Sequence, residues 1–261
     1  MFATTHFETQ ILNVLRNTSL PGYGNLYIGL YLTSPGESGQ EGIELGYPEY
    51  ARMPITFTAP FAESGGMGVR NTESILWEPA SQDAGQVRFI GISDSPVIGS
   101  GSMLLYGELT MPLDVRAGQQ PSIYEGDILY FLLGDSSMWF KTRVLNLLRG
   151  EALNGFTPHL ALFDGDPEGT GQELSGASYA RPNVPFGTPT EQVGGQSQIN
   201  NTSIVRFPAP TTTWGNWAWD GLMTAETGGE LVFKSQNPIP EILHRNHVPQ
   251  VPAGEYKVEV N

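Results

Sequence analysis

The sequence predicts a mainly β protein made of two homologous antiparallel β-sandwich domains, residues 1–134 and 135–261, each preceded by a short amphipathic helix. Three observations carry this prediction. A decapeptide is written twice, "FETQILNVLR" at Phe7–Arg16 and "FKTRVLNLLR" at Phe140–Arg149, with six identical positions. Further landmarks follow both copies in the same order and at nearly the same spacing, the mark of a tandem duplication. Between them, short apolar runs are punctuated by 32 glycines and 20 prolines without a period, which favours many short strands over long helices.

The elements follow in chain order. Phe7, Ile11, Leu12, Val14 and Leu15 form a one-sided apolar stripe at helical spacing, and Phe140, Val144, Leu145, Leu147 and Leu148 repeat it. Each helix is expected to pack on its own domain. "LYIGLYL" (Leu26–Leu32) and "HLALF" (His159–Phe163) are the first strands, bounded by Pro and Gly. Next comes "YAR", as Tyr50-Ala51-Arg52 and Tyr179-Ala180-Arg181, with Phe57 and Phe186 at the same spacing. A period of two places each tyrosine and arginine on one sheet face, with the guanidinium stacked on the ring or hydrogen-bonded near it. "NTESILWEP" (Asn71–Pro79) matches "NTSIVRFP" (Asn201–Pro208), and Gly85/Gly215, Phe89/Trp219, Gly91/Gly221 and Gly126/Gly254 continue the alignment. The remaining strands are "MPITFTAPF", "QVRFIGIS", "MLLYGEL" and "DILYFLL" in the first half. In the second they are "IVRFPAP", "WGNWAWDGL", "ELVFK" and "YKVEV". Alternation along a strand puts Trp217 and Trp219 on the same face.

Composition excludes several classes. Thirteen basic against 27 acidic residues give a net charge of −14, which argues against a nucleic-acid surface, since neutralising phosphate takes clustered Lys and Arg. The absence of cysteine removes disulfides, thiolate nucleophiles and cysteine–metal clusters. "MFATTHFETQ" has neither the basic start nor the apolar run of a signal peptide. No stretch approaches the roughly 20 apolar residues of a membrane span. A soluble product made in the cytoplasm, with no membrane insertion, is expected.

The order of landmarks carries a resemblance: amphipathic helix, "LYIGL" or "HLALF", a Gly-rich lead into "YAR", "NT" before an aromatic, "WG", then the "TGGELVF" turn (Thr227–Phe233). It resembles a family of small phage proteins of about one repeat's length, usually called phage tail fibre or minor tail proteins. The resemblance covers nearly the whole chain twice and is closer in the second repeat, where "DGDPEGTGQELSGASYARPNVPFG" keeps the acidic lead. The first repeat departs from it, with Ala84 where Trp214 stands. The resemblance implies a structural protein of a bacteriophage virion.

Chemistry-bearing constellations are sparse. Asp164, Asp166 and Glu168 alternate ahead of Gly169 like the opening of a calcium loop. Pro167 and Ser175 break the pattern, so a solvated acidic turn is the expected reading. His244 and His247 in "HRNH", with Glu241, have spacing that could present two imidazoles to a metal; surface histidines are expected instead. No nucleophile–base set, G-x-S-x-G elbow or P-loop emerges, so no catalytic residue, cofactor or enzymatic activity is expected. The expected function is structural: a tail fibre or baseplate-associated virion protein that bridges neighbouring subunits through two similar domains within a symmetric homo-oligomeric assembly. Its expected partners are other tail, baseplate or capsid subunits. The alternatives are a capsid decoration protein and a host-receptor adhesin stacking saccharide on Trp214, Trp217 or Trp219.

Overall fold

The protein is described here by a computed structural model covering residues 1–260. The first half opens with β1 (Phe2–Ala3) and α1 (Thr5–Asn13), which ends in a 3-10 turn at Val14–Arg16. There follow β2 (Leu26–Tyr31), β3 (Met53–Ile55), β4 (Phe61–Glu63), β5 (Gly66–Arg70) and β6 (Ile75–Leu76). The half closes with β7 (Gly85–Ser93), β8 (Met103–Val115), β9 (Ser122–Ile123) and β10 (Leu129–Leu132). The second half runs through α2 (Met138–Leu147), β11 (His159–Phe163), β12 (Thr190–Glu191), β13 (Ser197–Asn200) and β14 (Val205–Arg206). It ends with β15 (Gly215–Met223), β16 (Leu231–Leu243), β17 (Gln250–Val251) and β18 (Lys257–Val260).

The halves pair their strands alike. β7 lies between β2 and β8 as β15 lies between β11 and β16; β5 lies between β4 and β10 as β13 lies between β12 and β18; β6 joins β9 as β14 joins β17. All these ladders are antiparallel. The first half adds β1 and β3 to its large sheet, and the second reaches the same places with single bridges, Ser136–Phe233 and His159–Asn183. The expected mainly β, duplicated architecture is therefore present, with a helix opening each repeat.

Both helices start on the same device. The Thr4 hydroxyl accepts from Phe7 N at 3.4 Å and the Ser137 hydroxyl from Phe140 N at 3.1 Å, which satisfies an orphan N–H of the first turn. Each hydroxyl also donates to a carbonyl near the start of the long strand, Thr4 to Met103 O and Ser137 to Leu231 O. The cap thus fixes the helix to the sheet as well as starting it.

Three sequence expectations differ from the structure. The glycine-rich segments forming β4–β5 and β12–β13 lack alternating apolar residues and went unread as hairpins. The strands at "MLLYGEL" and "ELVFK" run on to thirteen residues each, as β8 and β16, past Pro112, Pro238 and Pro240. They do so because the register slips between Val87 and Phe89, and again between Trp217 and Trp219. In a bulge of this kind the ladder is interrupted, so proline's missing N–H costs no bond. The slip also breaks the period of two. Trp217 packs on the main core, whereas Trp219 lies with Phe163, Met223 and Leu231 in a separate cluster.

The third difference is where the helices pack. α1 lies against β8 of its own half but also against β13 and β18 of the other, and α2 lies against β16 of its own half and β5 of the first. One hydrophobic core runs through both halves. The contact is reciprocal: Leu20 N donates to Leu153 O at 2.8 Å and Leu153 N to Leu20 O at 2.9 Å, between residues that are equivalent in the two repeats. Tyr23 N likewise donates to Leu147 O at 2.8 Å, and its equivalent Phe156 N to Val14 O at 3.3 Å. Equivalent residues touching each other in this way are the pattern of an isologous, two-fold interface, here within a single chain. Gly22 and Gly155 permit the approach: a Cβ would stand 2.1 Å from the Gly150 carbonyl carbon at the first and 2.3 Å from that of Asn17 at the second.

Two buried charges mark the shared interface. Glu8 on α1 accepts from Ser197 N at 2.7 Å across the halves. Burial pushes its carboxyl up to about 7, against the lowering effect of the Ser197 hydrogen bonds. Its equivalent on α2, Lys141, donates to Gly134 O and Ser136 O, and burial lowers its pKa.

Because the helices cross between halves, fragments 1–134 and 135–261 should each lack a cooperative thermal transition alone and regain one when mixed, as read by calorimetry. Glu8 gives a pH-dependent expectation. Its folded pKa is raised, so its contribution to stability is full below pH 4.5 and is lost as pH rises through about 7. Glu8→Gln should remove this loss, leaving the variant about 3 kcal/mol more stable than wild type at pH 8 and closely matched at pH 4.5, measured by urea unfolding at both pH values.

Candidate functional site

The structural feature built most completely in both halves is a clamp around the arginine of "YAR". Tyr50, Ala51 and Arg52 precede β3 rather than lying in it, and what unites the tyrosine and arginine is a third residue, Glu44. Arg52 Nε donates to Glu44 Oε1 at 2.9 Å and Nη2 to Glu44 Oε2 at 2.8 Å, a two-pronged ion pair. The Tyr50 hydroxyl donates to Glu44 Oε1 at 3.2 Å while accepting from Leu30 N at 2.8 Å, which anchors the pair to β2. Arg52 Nη1 then donates to Ser95 O and Ser100 O, both at 3.1 Å. Those carbonyls belong to the loop between β7 and β8. Nη2 also reaches the Tyr31 hydroxyl at 3.4 Å, so all five N–H groups of the guanidinium are used.

The second half repeats the arrangement. Arg181 Nε and Nη2 donate to Glu173 at 2.7 and 2.6 Å, and the Tyr179 hydroxyl donates to Glu173 at 3.0 Å while accepting from Leu162 N at 3.0 Å. Arg181 Nη1 donates to Ala225 O at 2.9 Å and Gly228 O at 2.7 Å in the loop between β15 and β16. Phe163 replaces Tyr31, so this copy lacks the fifth bond.

The electrostatics follow from burial. Desolvation pushes the Tyr50 and Tyr179 phenols far above the ordinary tyrosine range, and the Tyr31 phenol up to about 12. Burial works against the Arg52 cation, but its bond to Glu44 and the surrounding groups hold it above the usual arginine value. For Arg181 the bond to Glu173 is the leading cause of the same rise. A tyrosine kept neutral and an arginine kept charged hold the backbone groups they bond in place. The clamp ties down Ser93–Ser102 and Thr224–Gly229, loops that differ in length and sequence between the repeats. Its glutamates went unread, although "EL" recurs at Glu44-Leu45 and Glu173-Leu174 with the same spacing as "YAR".

The sequence-predicted candidates are dispersed. Asp164 accepts from Gln172 N at 2.6 Å and closes its own loop. Asp166 binds Lys234 Nζ at 2.7 and 2.8 Å. Glu168 accepts from Met138 N, at the start of α2, at 2.7 Å and lies 3.3 Å from Lys234. These carboxylates tie the acidic turn to α2 and β16. Among the described residues, no group of three or more His, Cys, Asp and Glu is placed to hold a metal ion. His247 Nε2 lies 3.6 Å from Glu241 at the surface, and His244 is exposed.

The tryptophans proposed as a stacking platform are engaged elsewhere. Trp214 is buried, with Nε1 donating to Ala177 O at 3.1 Å. Trp217 donates to Asp220 Oδ1 at 2.8 Å, and Lys234 sits over the Trp219 ring at 5.6 Å. The Ala84/Trp214 departure also has a structural counterpart. In the second half Trp214 meets the Tyr179 ring edge-on at 5.1 Å, whereas in the first Tyr47 lies 5.6 Å from Tyr50. Gly176 stands where Tyr47 would, and a Cβ there would be 2.7 Å from Trp214 Cδ1. Each half fills one aromatic slot from a different position.

Removing one partner of a buried ion pair strands the other charge. Arg52→Ala should therefore cost about 3–5 kcal/mol. Arg181→Ala should cost less, because the Glu173 side chain is 28% exposed against 9% for Glu44. Urea denaturation of the two variants measures the difference, and amide exchange should accelerate in Ser93–Ser102 for the first and Thr224–Gly229 for the second.

The family to which the chain is similar matches it twice, once in each half. The model of the family described as Podophage GP4 fiber I protein gp80 matches residues 2–130 and again residues 136–259. No curated protein matches the chain. Two matches that together span nearly the whole sequence, over halves with the same strand pairing and the same clamp, show that the chain belongs to the Podophage GP4 fiber I protein gp80 family.

Proposed function

We propose that the chain is a non-enzymatic structural protein of a phage fibre, bridging neighbouring virion subunits through two equivalent surfaces. Membership of a phage fibre family supports a structural virion component. The finer reading rests on the reciprocal contact between the halves. Because Leu20 and Leu153 pair with each other, residues 1–134 and 135–261 present related surfaces in a fixed orientation. Such a body holds two neighbours at a set angle, and the two linked contacts reinforce each other.

The clamps support the same role. They use buried charge to fix the β7–β8 and β15–β16 loops, so each half presents an ordered loop to its neighbour. A capsid-decoration role uses the same bridging geometry. The saccharide-binding alternative is less favoured, because Trp214, Trp217 and Trp219 all serve packing or hydrogen bonds within the chain.

Immunogold labelling of intact particles tests the assignment. Label along the tail fibres or at the baseplate is expected. Label over the capsid would replace the tail placement with decoration, and unlabelled particles with the chain confined to the lysate would overturn the virion reading.

A further inference from the structure

The long hairpins carry a second duplicated feature, at the register slips. Between the pairs Phe89–Glu108 and Val87–Leu113, the four residues Leu109–Pro112 stand opposite Arg88 alone. Between Trp219–Gln236 and Trp217–Glu241, the four residues Asn237–Pro240 stand opposite Ala218. Each hairpin therefore extrudes a short knob at the same place. The knobs share almost no sequence, "LTMP" against "NPIP", yet both carry a large aliphatic residue followed by proline. Met111 is 80% exposed and Ile239 is 77% exposed.

Isolated exposed apolar residues are ordinary on protein surfaces. A matched pair on an extruded, internally braced backbone is not explained that way. Leu109 roots the first knob by packing on the core. Asn237 roots the second with hydrogen bonds, donating to Trp217 O at 3.2 Å and accepting from Ile239 N at 3.1 Å. Pro112 and Pro240 lack an N–H and have a fixed φ, which suits an interrupted ladder. The two halves thus reach the same display by different means. Leaving an apolar side chain in water forgoes the stabilisation of burial, and a partner that covers it recovers part of it.

We infer that Met111 and Ile239 are twin anchors that seat in two copies of one virion subunit, each offering an apolar socket rimmed by basic side chains. This deepens, and rests on, the bridging function proposed above. Two copies of one subunit follow from the pairing of the knobs by the same internal symmetry that pairs Leu20 with Leu153. Basic rims follow from charge. The chain carries −14; Glu108 and Asp114 flank Met111 and Glu241 follows Ile239, against Arg88 opposite the first knob, Arg116 at 3.6 Å from Asp114 and His247 at 3.6 Å from Glu241.

The test uses the full chain and phage particles assembled without it. Met111→Asp, Ile239→Asp and the double variant are compared with wild type for binding to these particles, with thermal melts confirming the fold. Met111→Ser and Ile239→Ser serve as uncharged counterparts. Each single aspartate variant should lose about 10²-fold or more in apparent affinity, because it forfeits the linkage between two contacts, and the double variant should fall to background. Wild-type binding should also weaken as salt is raised. Unchanged binding of the double variant, or loss confined to one knob, would overturn the inference while leaving the virion role intact. If the variants instead abolish self-association of the isolated chain in light scattering, the occupant is a second copy of this chain and the assignment to another subunit is wrong. Failure of wild type to bind particles, together with unlabelled particles in the immunogold experiment, would overturn the virion function itself, and this inference with it.

Discussion

Leu20 and Leu153 exchange two backbone hydrogen bonds between equivalent points of a duplicated chain, and the rest of the fold is arranged so that this pair can form. The helices must cross, α1 onto β13 and β18 and α2 onto β5. Gly22 and Gly155 must lack side chains, because any Cβ would enter the opposite backbone. The core must be continuous across the junction, as the single cluster containing Phe7, Leu15, Leu148 and Tyr130 is. What duplication produced here is closer to a two-fold dimer written on one chain than to beads on a string. A linked pseudo-dimer forms its interface without the concentration dependence of a true dimer. It also lets the halves diverge, which identical subunits cannot do.

The divergence is visible and has physical rules. The Leu20–Leu153 backbone pairing and the tyrosine, glutamate and arginine of each clamp are kept, whereas Glu8 becomes Lys141 and Tyr31 becomes Phe163. Positions elsewhere change together. Tyr47 with Ala84 becomes Gly176 with Trp214, keeping one aromatic group beside the clamp tyrosine. Val87, Ile90 and Ile128 become Trp217, Asp220 and Tyr256 at corresponding points of the second half. There the Asp220 carboxyl keeps one bond, from Trp217, and burial pushes its pKa up to about 6. The two halves thus offer one architecture with different loops and interior polarity.

The clamps show why a fibre protein would keep a costly buried charge. Desolvating Arg52 and Glu44 offsets much of their attraction, so the net stabilisation from such a pair is small. What the pair adds is position. A guanidinium has a fixed fork of donors, and with two of them held by the glutamate, the rest reach two carbonyls of a loop that otherwise has little regular structure. A loop pinned at Ser95 and Ser100, or at Ala225 and Gly228, is ordered in advance and would have less conformational entropy to lose in any contact.

The sequence by itself determined the duplication, the helix positions to within two residues and the "YAR" and "NT" landmarks. These are local: helical periodicity, turn glycines and colinear repeats are all read along the chain. Asn71 and Asn201 illustrate it, each donating to the carbonyl two residues on, Glu73 O and Ser203 O, at the same place in both halves. Tertiary structure alone decided the rest. An amphipathic stripe states that one face of α1 is buried but not which half buries it. Glu44 and Glu173 look like any surface glutamate until folding brings each within reach of an arginine eight residues on. The slip opposite Arg88 and Ala218 turns Trp217 away from Trp219, and extrudes Met111 and Ile239. Alternation cannot foresee it, because a bulge inserts residues into one strand without changing the apolar pattern of its partner. Short-range order follows from each residue's own preferences; which surfaces meet, and which stay in water, depends on contacts between separate segments, from the eight residues between Glu44 and Arg52 to the 133 between Leu20 and Leu153.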